Sequence, residues 1–367
     1  MTNKFHSIAA TLFLALVSVV ALVSCRGENE LPIDDTLHPI AFASVAAEQE
    51  SVTRAVTLGR DFVVYGYKGM GDNGVQTVFD GYTVHYNQGS ANTSADNTHD
   101  YYYVGGEQTM KYWDFSATEY HFWGLYAKGP DLATFSGEKH NVITIPNVTL
   151  RVGEPDPADD VLFSALYVRQ PITSHVVQLS FMRPYAKLRI MFYTTETDNV
   201  DLTDITFAPD PSATDPLVNK VYQKGVVKVT YPLPSDHCEG KAQETISVEN
   251  LSQEQDAFTF EKVTLTPTTG ISSNTSVTAA VDASGHQYYY PLPMGDKNPA
   301  FTMTVRINGD TEPKTAVVPE VFMHWQANYL YTYIFKITEA GKKIEFYDVK
   351  IDPWKYGGSQ EDEWRNW

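Results

Sequence analysis

From Phe62 onward the chain alternates between short apolar or aromatic runs and breaks rich in Gly, Pro, Asn and Asp. The breaks recur about every eight to fifteen residues, the spacing of strands joined by turns. Phe62–Tyr67, His121–Tyr126, Val161–Val168, Val176–Phe181, Lys187–Tyr193, Phe301–Ile307 and Tyr329–Phe335 are each of strand length. In Lys187–Tyr193 the residues Leu188, Ile190 and Phe192 share one face, and Lys187, Arg189 and Met191 the other. That alternation predicts one buried face and one wet face. No window holds apolar residues at i, i+3, i+4 and i+7 long enough for a helix. The pattern predicts an all-β protein whose antiparallel sheets pack face to face as sandwiches.

A turn-like stretch, Arg169–Ser174, divides the strand-rich body. It sets the expected boundary between an N-terminal sandwich over 55–174 and a C-terminal sandwich over 175–367. A length of 367 residues suits two cores, since single cores rarely grow past about 250 residues. Within the second half, the polar tract Ser235–Gln255 reads as a long loop or insertion.

The first residues differ in kind. Lys4 and His6 precede an apolar run from Ile8 to Val23. That run is short for a bilayer core of about 30 Å but suits an export signal over 1–24. It ends in Leu22-Val23-Ser24-Cys25, which resembles the lipobox at which bacteria acylate a cysteine and cleave before it. Cys25 is therefore the expected lipidation site and mature N-terminus. Several acyl chains, at about 0.8 kcal/mol per buried CH₂, hold a protein at a membrane where a single chain holds weakly. Arg26–Asp35 is acidic and free of aromatic residues, which suits a flexible tether opening a pro-segment over 25–54. With Cys25 lipidated, the only other cysteine, Cys238, has no partner for an internal disulfide.

Composition agrees with the strand pattern. Aromatic residues make up 13% of the chain, with 23 Tyr and 18 Phe, and such side chains fit pleated half-buried surfaces. The formal charge of −18 repels phosphate backbones, so nucleic acid is not an expected partner.

Catalytic patterns are missing from the sequence. The histidines, from His6 to His324, never form an HxH or HxxxH pair. Asp34-Asp35 and Asp159-Asp160 sit in no calcium-loop pattern, and Gly105-Gly106 is not followed by a phosphate-loop Lys. No GxSxG elbow occurs. The expectation is a non-enzyme without cofactor or metal. Tyr101–Tyr103 and Tyr288–Tyr290 suggest stacking surfaces for sugar rings. In a strand, however, the middle residue of three faces away from its neighbours, so at least one ring of each trio should pack inward.

Several phrases resemble the fimbrillin, or Mfa-like, family of pilus subunits and adhesins from anaerobic Gram-negative bacteria. They are VYGYKG (Val64 to Gly69), GGEQTMKYWDFSATEYHFWGLYA (Gly105 to Ala127), VQLSFMRPYAKLRIMFY (Val177 to Tyr193), YYYPLPMG (Tyr288 to Gly295) and NYLYTYIFKITEAGKKIEFYDVKIDPW (Asn328 to Trp354). The resemblance implies two tandem transthyretin-like sandwiches and export as an outer-membrane lipoprotein. It also implies assembly with other pilus subunits at the cell surface by strand exchange, in the service of adhesion to a receptor it does not name. In the family's shaft subunits a protease cuts after an arginine and releases the first strand. Here Arg54 lies between a strand-like piece, Ile40–Val45, and the first domain, so Arg54 and Ala55 are the candidate cut site. Arg60 lies closer to the strand at Phe62 and should be less accessible. The C-terminal Ile344–Ile351 reads either as the last strand of its own domain or as a strand donated to a neighbour. The alternative function is a monomeric surface lipoprotein that binds glycans through exposed aromatic residues.

Overall fold

A computed structural model of the chain describes residues 38–46, 59–86, 102–104, 108–149, 161–171, 176–194, 198–212, 219–234, 242–266, 281–282, 288–294, 298–338 and 342–353. All but residue 38 belong to one unit, Pro39–Trp367. The strands of the first half are β1 Ala41–Ala46, β2 Phe62–Gly69, β3 Val75–Tyr86, β4 Tyr102–Val104, β5 Tyr120–Ala127, β6 Thr134–Ser136, β7 Val142–Thr149, β8 Val161–Ser164, β9 Tyr167–Arg169 and β10 Val176–Met182. Those that follow are β11 Lys187–Thr194, β12 Val200–Pro209, β13 Val221–Thr230, β14 Thr245–Gln255, β15 Phe258–Phe260, β16 Val263–Leu265, β17 Val281–Asp282, β18 Phe301–Ile307, β19 Lys314–Val318, β20 Tyr329–Thr338 and β21 Lys343–Pro353. Among the described residues there is no α-helix, only short 3₁₀ turns at Gly71–Asn73, Pro130–Leu132 and Glu320–Phe322.

Four sheets make two sandwiches. The first pairs an eight-stranded sheet, in the order β1-β10-β8-β5-β2-β3-β4 with β9 beside β5, against the four-stranded sheet β14-β13-β7-β6. Tyr65, Tyr67, Trp123, Leu125 and Phe163 from the large sheet meet Ile143, Ile145, Val227 and Val229 from the small one. Trp123 stacks between Tyr67, at 5.1 Å, and Tyr231, at 4.9 Å and nearly parallel. The second sandwich packs β17-β11-β20-β21 on β15-β12-β18-β19, with β16 also paired to β12. Its core runs from Leu188, Ile190 and Phe192 through Tyr333 and Phe335 to Phe207, Phe258, Phe301 and Met303.

The large sheet is buried on both faces. Its other side carries Phe42, Phe62, Val64, Phe79, Tyr120, Phe122, Val177 and Leu179. Phe42, from one end of the sheet order, meets Phe79 and Phe122 edge-on at 5.0 and 5.8 Å, so the sheet is curled around this cluster. The curl explains why Tyr120–Leu125 is a continuous buried run rather than an alternating one. Gly66 is needed at the bend, because a Cβ there would lie 2.7 Å from the Phe122 ring and 2.9 Å from Phe79.

Most pairings are antiparallel, but β1 pairs β10 and β11 pairs β20 in parallel. Both pairs join strands far apart in sequence, which removes any need for a hairpin between them. Strands on both sides of the expected 174/175 boundary belong to the first sandwich. β10 pairs with β8 and β1, and β13 pairs with β7 along Thr230↔Val142 to Lys224↔Thr149. Part of the tract expected to be a loop, Thr245–Gln255, forms the edge strand β14, of which only Val248 is buried. A strand with one buried side chain leaves no apolar alternation to read.

One expectation is overturned. The face of β11 carrying Lys187, Arg189 and Met191 is buried, each residue at most 2% exposed. Lys187 places its ammonium over the Tyr288 ring at 4.2 Å, and the Arg189 Nε–H donates to the Thr332 hydroxyl at 3.1 Å. A hydroxyl and an aromatic face thus take in charged side chains that alternation alone assigns to water.

Candidate functional site

The segment of greatest functional interest is β1. It is the end strand of the large sheet, and its ladder runs in parallel against β10 from Ala41↔Val176 to Ala46↔Phe181. Beyond that ladder, the Ile40 N–H donates to the Lys111 carbonyl at 2.9 Å, and Pro39 bridges Tyr112. Ile40, Phe42, Ala43 and Ser44 are all buried. Burial of side chains like Ile40 and Phe42 contributes about 1.5–3 kcal/mol each. The strand is therefore held by its buried side chains as well as by its six-residue ladder. Without β1, the cluster of Phe79, Phe122, Val177 and Leu179 loses its cover and the edge of β10 its partner.

Cys25, Arg54 and Ala55 lie outside the described residues, as do the signal and tether. Arg60 is described, and its guanidinium is engaged: Nη1 donates to the Tyr126 hydroxyl at 3.0 Å and the group lies 5.0 Å from that ring's centre. Just beyond it, β2 is buried at Phe62 and Val64.

At the other end of the chain, β21 is the outer strand of its sheet and pairs with β20 from Tyr329↔Pro353 to Thr338↔Lys343. Of the two readings of Ile344–Ile351, the structure has it as the last strand of its own sandwich. Ile344 is buried, whereas Tyr347 and Ile351 are about half exposed, at 51% and 49%.

Tyr288–Tyr290 packs inward entirely. Tyr288 and Tyr290 enter the first core, whereas Tyr289 enters the second, so the trio stitches the two together. Its backbone reaches β11, where the Leu188 N–H donates to the Tyr289 carbonyl at 2.8 Å. Tyr101 and the side chains of Tyr102 and Tyr103 lie outside the described residues.

Titratable groups are dispersed. His85 pairs with Asp61 and His140 with Asp80, both on the surface. Buried His121 lies between the Pro232 carbonyl, 2.7 Å from Nδ1, and the Glu119 carboxylate, 3.0 Å from Nε2. This contact ties β5 to a segment 111 residues away, and no local spacing announces it. Among the described residues no three His, Cys, Asp or Glu groups converge as a metal site. Nor, among them, is any helix long and apolar enough to cross a membrane, which says nothing of strands. Burial pushes the Tyr331 hydroxyl up to about 12, and its O–H donates to the His324 carbonyl at 2.6 Å. Tyr333 is raised as well, chiefly by burial, and donates to the Phe322 carbonyl at 2.7 Å. These phenols serve as fixed struts of the second core.

The loop between Gln108 and Thr118 holds the end of β1, which no local spacing announces, and carries exposed Met110, Tyr112 and Phe115 around buried Trp113. Hydrogen bonds from Lys68, and then from Ser116, hold the carboxyl of its Asp114 down to about 2.

The fimbrillin-like family matches residues 52–354, so the chain belongs to that family. No curated protein matches the chain. Among solved structures, a candidate cell adhesion protein from Bacteroides ovatus ATCC 8483 is similar, with 12% identity over 88% of this chain and 100% of that one, at a TM-score of 0.41. One from Parabacteroides distasonis ATCC 8503, described likewise, is 11% identical over 88% and 99%, also at 0.41. A structure from Bacteroides thetaiotaomicron VPI-5482, described as a candidate polysaccharide-binding protein, is 6% identical over 88% and 98%, at 0.31.

Proposed function

We propose that this chain is a fimbrial structural or tip subunit, anchored during export by lipid on Cys25, that assembles with other subunits by strand exchange and serves adhesion. The observation that carries the reading is β1. It is an N-terminal edge strand, buried at Phe42 and flanked by buried Ile40, and among the described strands of its sheet its ladder partner is β10. Such a strand is a plug. Its departure uncovers an apolar groove and a row of unpaired backbone groups, which a strand from a second subunit fills by β-augmentation. A cut after Arg54 would separate the plug from the body. The experiment is treatment of the exported protein with an Arg-specific protease. The expected product starts at Ala55, and its polymers are visible by electron microscopy. A protein that is cut there, sheds β1 and stays monomeric refutes the reading.

A second reading is glycan binding through exposed aromatic residues. Tyr288–Tyr290 is buried and not available for it, but Tyr112 and Phe115 stand exposed on one loop beside Met110. Glycan-array binding that vanishes in Tyr112→Ala and Phe115→Ala would support it.

A further inference from the structure

The N-terminal end of β1 is clasped by a loop that is itself riveted to the neighbouring strand. On one side of the loop, the Lys111 carbonyl accepts from the Ile40 N–H, and Tyr112 bridges Pro39. On the other side, the backbone is tied to the end of β2. The Thr118 N–H donates to the Gly69 carbonyl, and the Gly69 N–H to the Glu119 carbonyl, each at 2.9 Å. Between the two sides lies Asp114. One of its carboxylate oxygens takes the ammonium of Lys68, the residue before Gly69 on β2. The other accepts from the Ser116 N–H at 2.9 Å and from its hydroxyl at 2.6 Å. The Asp114 N–H donates to the Tyr120 hydroxyl at 2.7 Å.

Side chains complete the connection. Trp113, next to Asp114, packs edge-on against Tyr120 at 4.8 Å and Phe122 at 5.8 Å. Phe42 of β1 meets that same Phe122 ring at 5.8 Å. Loop and strand therefore lean on one aromatic residue, and the position of Asp114 fixes the position of Trp113. The ammonium and carboxylate are 17% and 33% exposed, so water screens their attraction only in part.

We propose that the Lys68–Asp114 ion pair is a latch: by holding the 110–118 loop against β2, it sets how readily the N-terminal end of β1 lifts from its groove. The proposal rests on the reading of β1 as a displaceable strand, but its test is made on the uncut protein and does not require assembly. A plug that is removable and yet must survive export needs a barrier at one end, and this ion pair supplies one that does not draw on the side chains shared with an incoming strand.

Hydrogen exchange of the amides of 41–46 is to be compared in the wild type, Asp114→Ala, Lys68→Gln and the charge-swapped double variant Lys68→Asp/Asp114→Lys. Each single change should speed exchange over 41–46 by about fivefold to tenfold, the scale of one partly screened charge pair, and leave β12 and β18 of the second sandwich unchanged. The swap should recover a good part of the protection. Unchanged exchange over 41–46 in both single variants overturns the latch. So does acceleration spread equally over β2, β5 and β8, because the pair would then stabilise the sandwich as a whole. Should Asp114→Ala fail to fold, Lys68→Gln and the swap still decide the matter. A separate arm adds a labelled peptide of residues 38–47 after the Arg-specific cut. Failure of the peptide to enter refutes strand exchange while leaving the latch standing, and faster exchange without peptide uptake separates the two ideas.

Discussion

The two end strands of the described chain, β1 and β21, are both sheet edges, and they differ in the balance of side-chain burial and ladder length. β1 has six residues, one parallel ladder and buried side chains at Phe42, Ala43 and Ser44, with Ile40 buried just before it. β21 has eleven residues, a long antiparallel ladder with one irregularity between Ile334 and Phe335, and one buried side chain, Ile344, with Phe346 and Val349 partly buried against the same core. Among the described side chains the first strand has the larger buried share, and the second strand has the longer ladder. The difference bears on exchange. A strand fixed by pockets is replaced by any chain offering the same side chains, whereas a strand fixed by a ladder comes away one hydrogen bond at a time.

The largest expected effect comes from removing β1 altogether. A chain beginning at Ala55 should lose cover over Phe79 and Phe122, bind a hydrophobic dye and melt at lower temperature. An added peptide of residues 38–47 should reverse all three changes. A chain ending after Thr338, which lacks β21, should show no rescue by the β1 peptide. Rescue there would mean the groove is not specific to the first sandwich.

Much of this architecture is legible in the sequence, and the exceptions have physical causes. Phe62–Tyr67, Phe301–Ile307 and Tyr329–Phe335 all fall in strands because alternation and β-branched or aromatic content report local backbone directly. Alternation also reports that two faces differ, but not what covers each one. Lys187 and Arg189 are buried because Tyr288 and Thr332, distant in sequence, receive them. Likewise nothing local announces that β13 joins β7 rather than a strand of its own half. The edge strand β1 was legible as a strand-like piece between the tether and the body. The loop that clasps it was not, since its Asp114, Ser116 and Lys68 contacts depend on a fold already formed.

Next in size are two substitutions at positions equally buried, Phe42 and Ile344, each 3% exposed. Phe42→Ala should cost about 3–5 kcal/mol in denaturant unfolding unless β1 detaches first, and Ile344→Val about 0.5–1.5 kcal/mol. Their location should differ as well. Phe42→Ala should release the 41–46 amides selectively, whereas Ile344→Val should loosen the second sandwich evenly, because β21 is tied along its whole length to β20. Selective release of β21 by Ile344→Val would erase the distinction between the two strands.

A smaller effect is expected from acid. Lys68, and then Ser116, lower the Asp114 carboxyl from 3.8 to about 2. A carboxyl lowered in the folded state contributes stability that is fully present above its unfolded value and is lost as pH falls through the folded one. Protection of 41–46 due to this pair should therefore be constant from neutral pH to about 5 and decline between about 4 and 2. Other carboxyls titrate in the same window, including Glu345 on β21, lowered by Lys343 on the same strand. The informative quantity is therefore the difference between the wild type and Asp114→Ala. The two should differ above pH 4 and converge near pH 2. A difference that persists undiminished at pH 2 would show that the carboxylate charge is not what holds the loop.

The smallest effect is expected at Tyr347, whose half-exposed ring meets Tyr193 edge-on at 5.2 Å. An edge-on aromatic pair is worth about 0.5–1.5 kcal/mol when buried, and exposure reduces that. Tyr347→Ser should therefore shift the unfolding free energy by less than about 1 kcal/mol and leave the 41–46 amides untouched. The residue is nevertheless a sharp probe, because it sits midway along β21 and takes no part in the buried contact of Ile344. If the outward face of β21 were also anchored by its side chains, losing this ring would cost more than an exposed aromatic contact does. A loss above about 2 kcal/mol would therefore place this stretch of β21 with the strands held by side chains and weaken its contrast with β1.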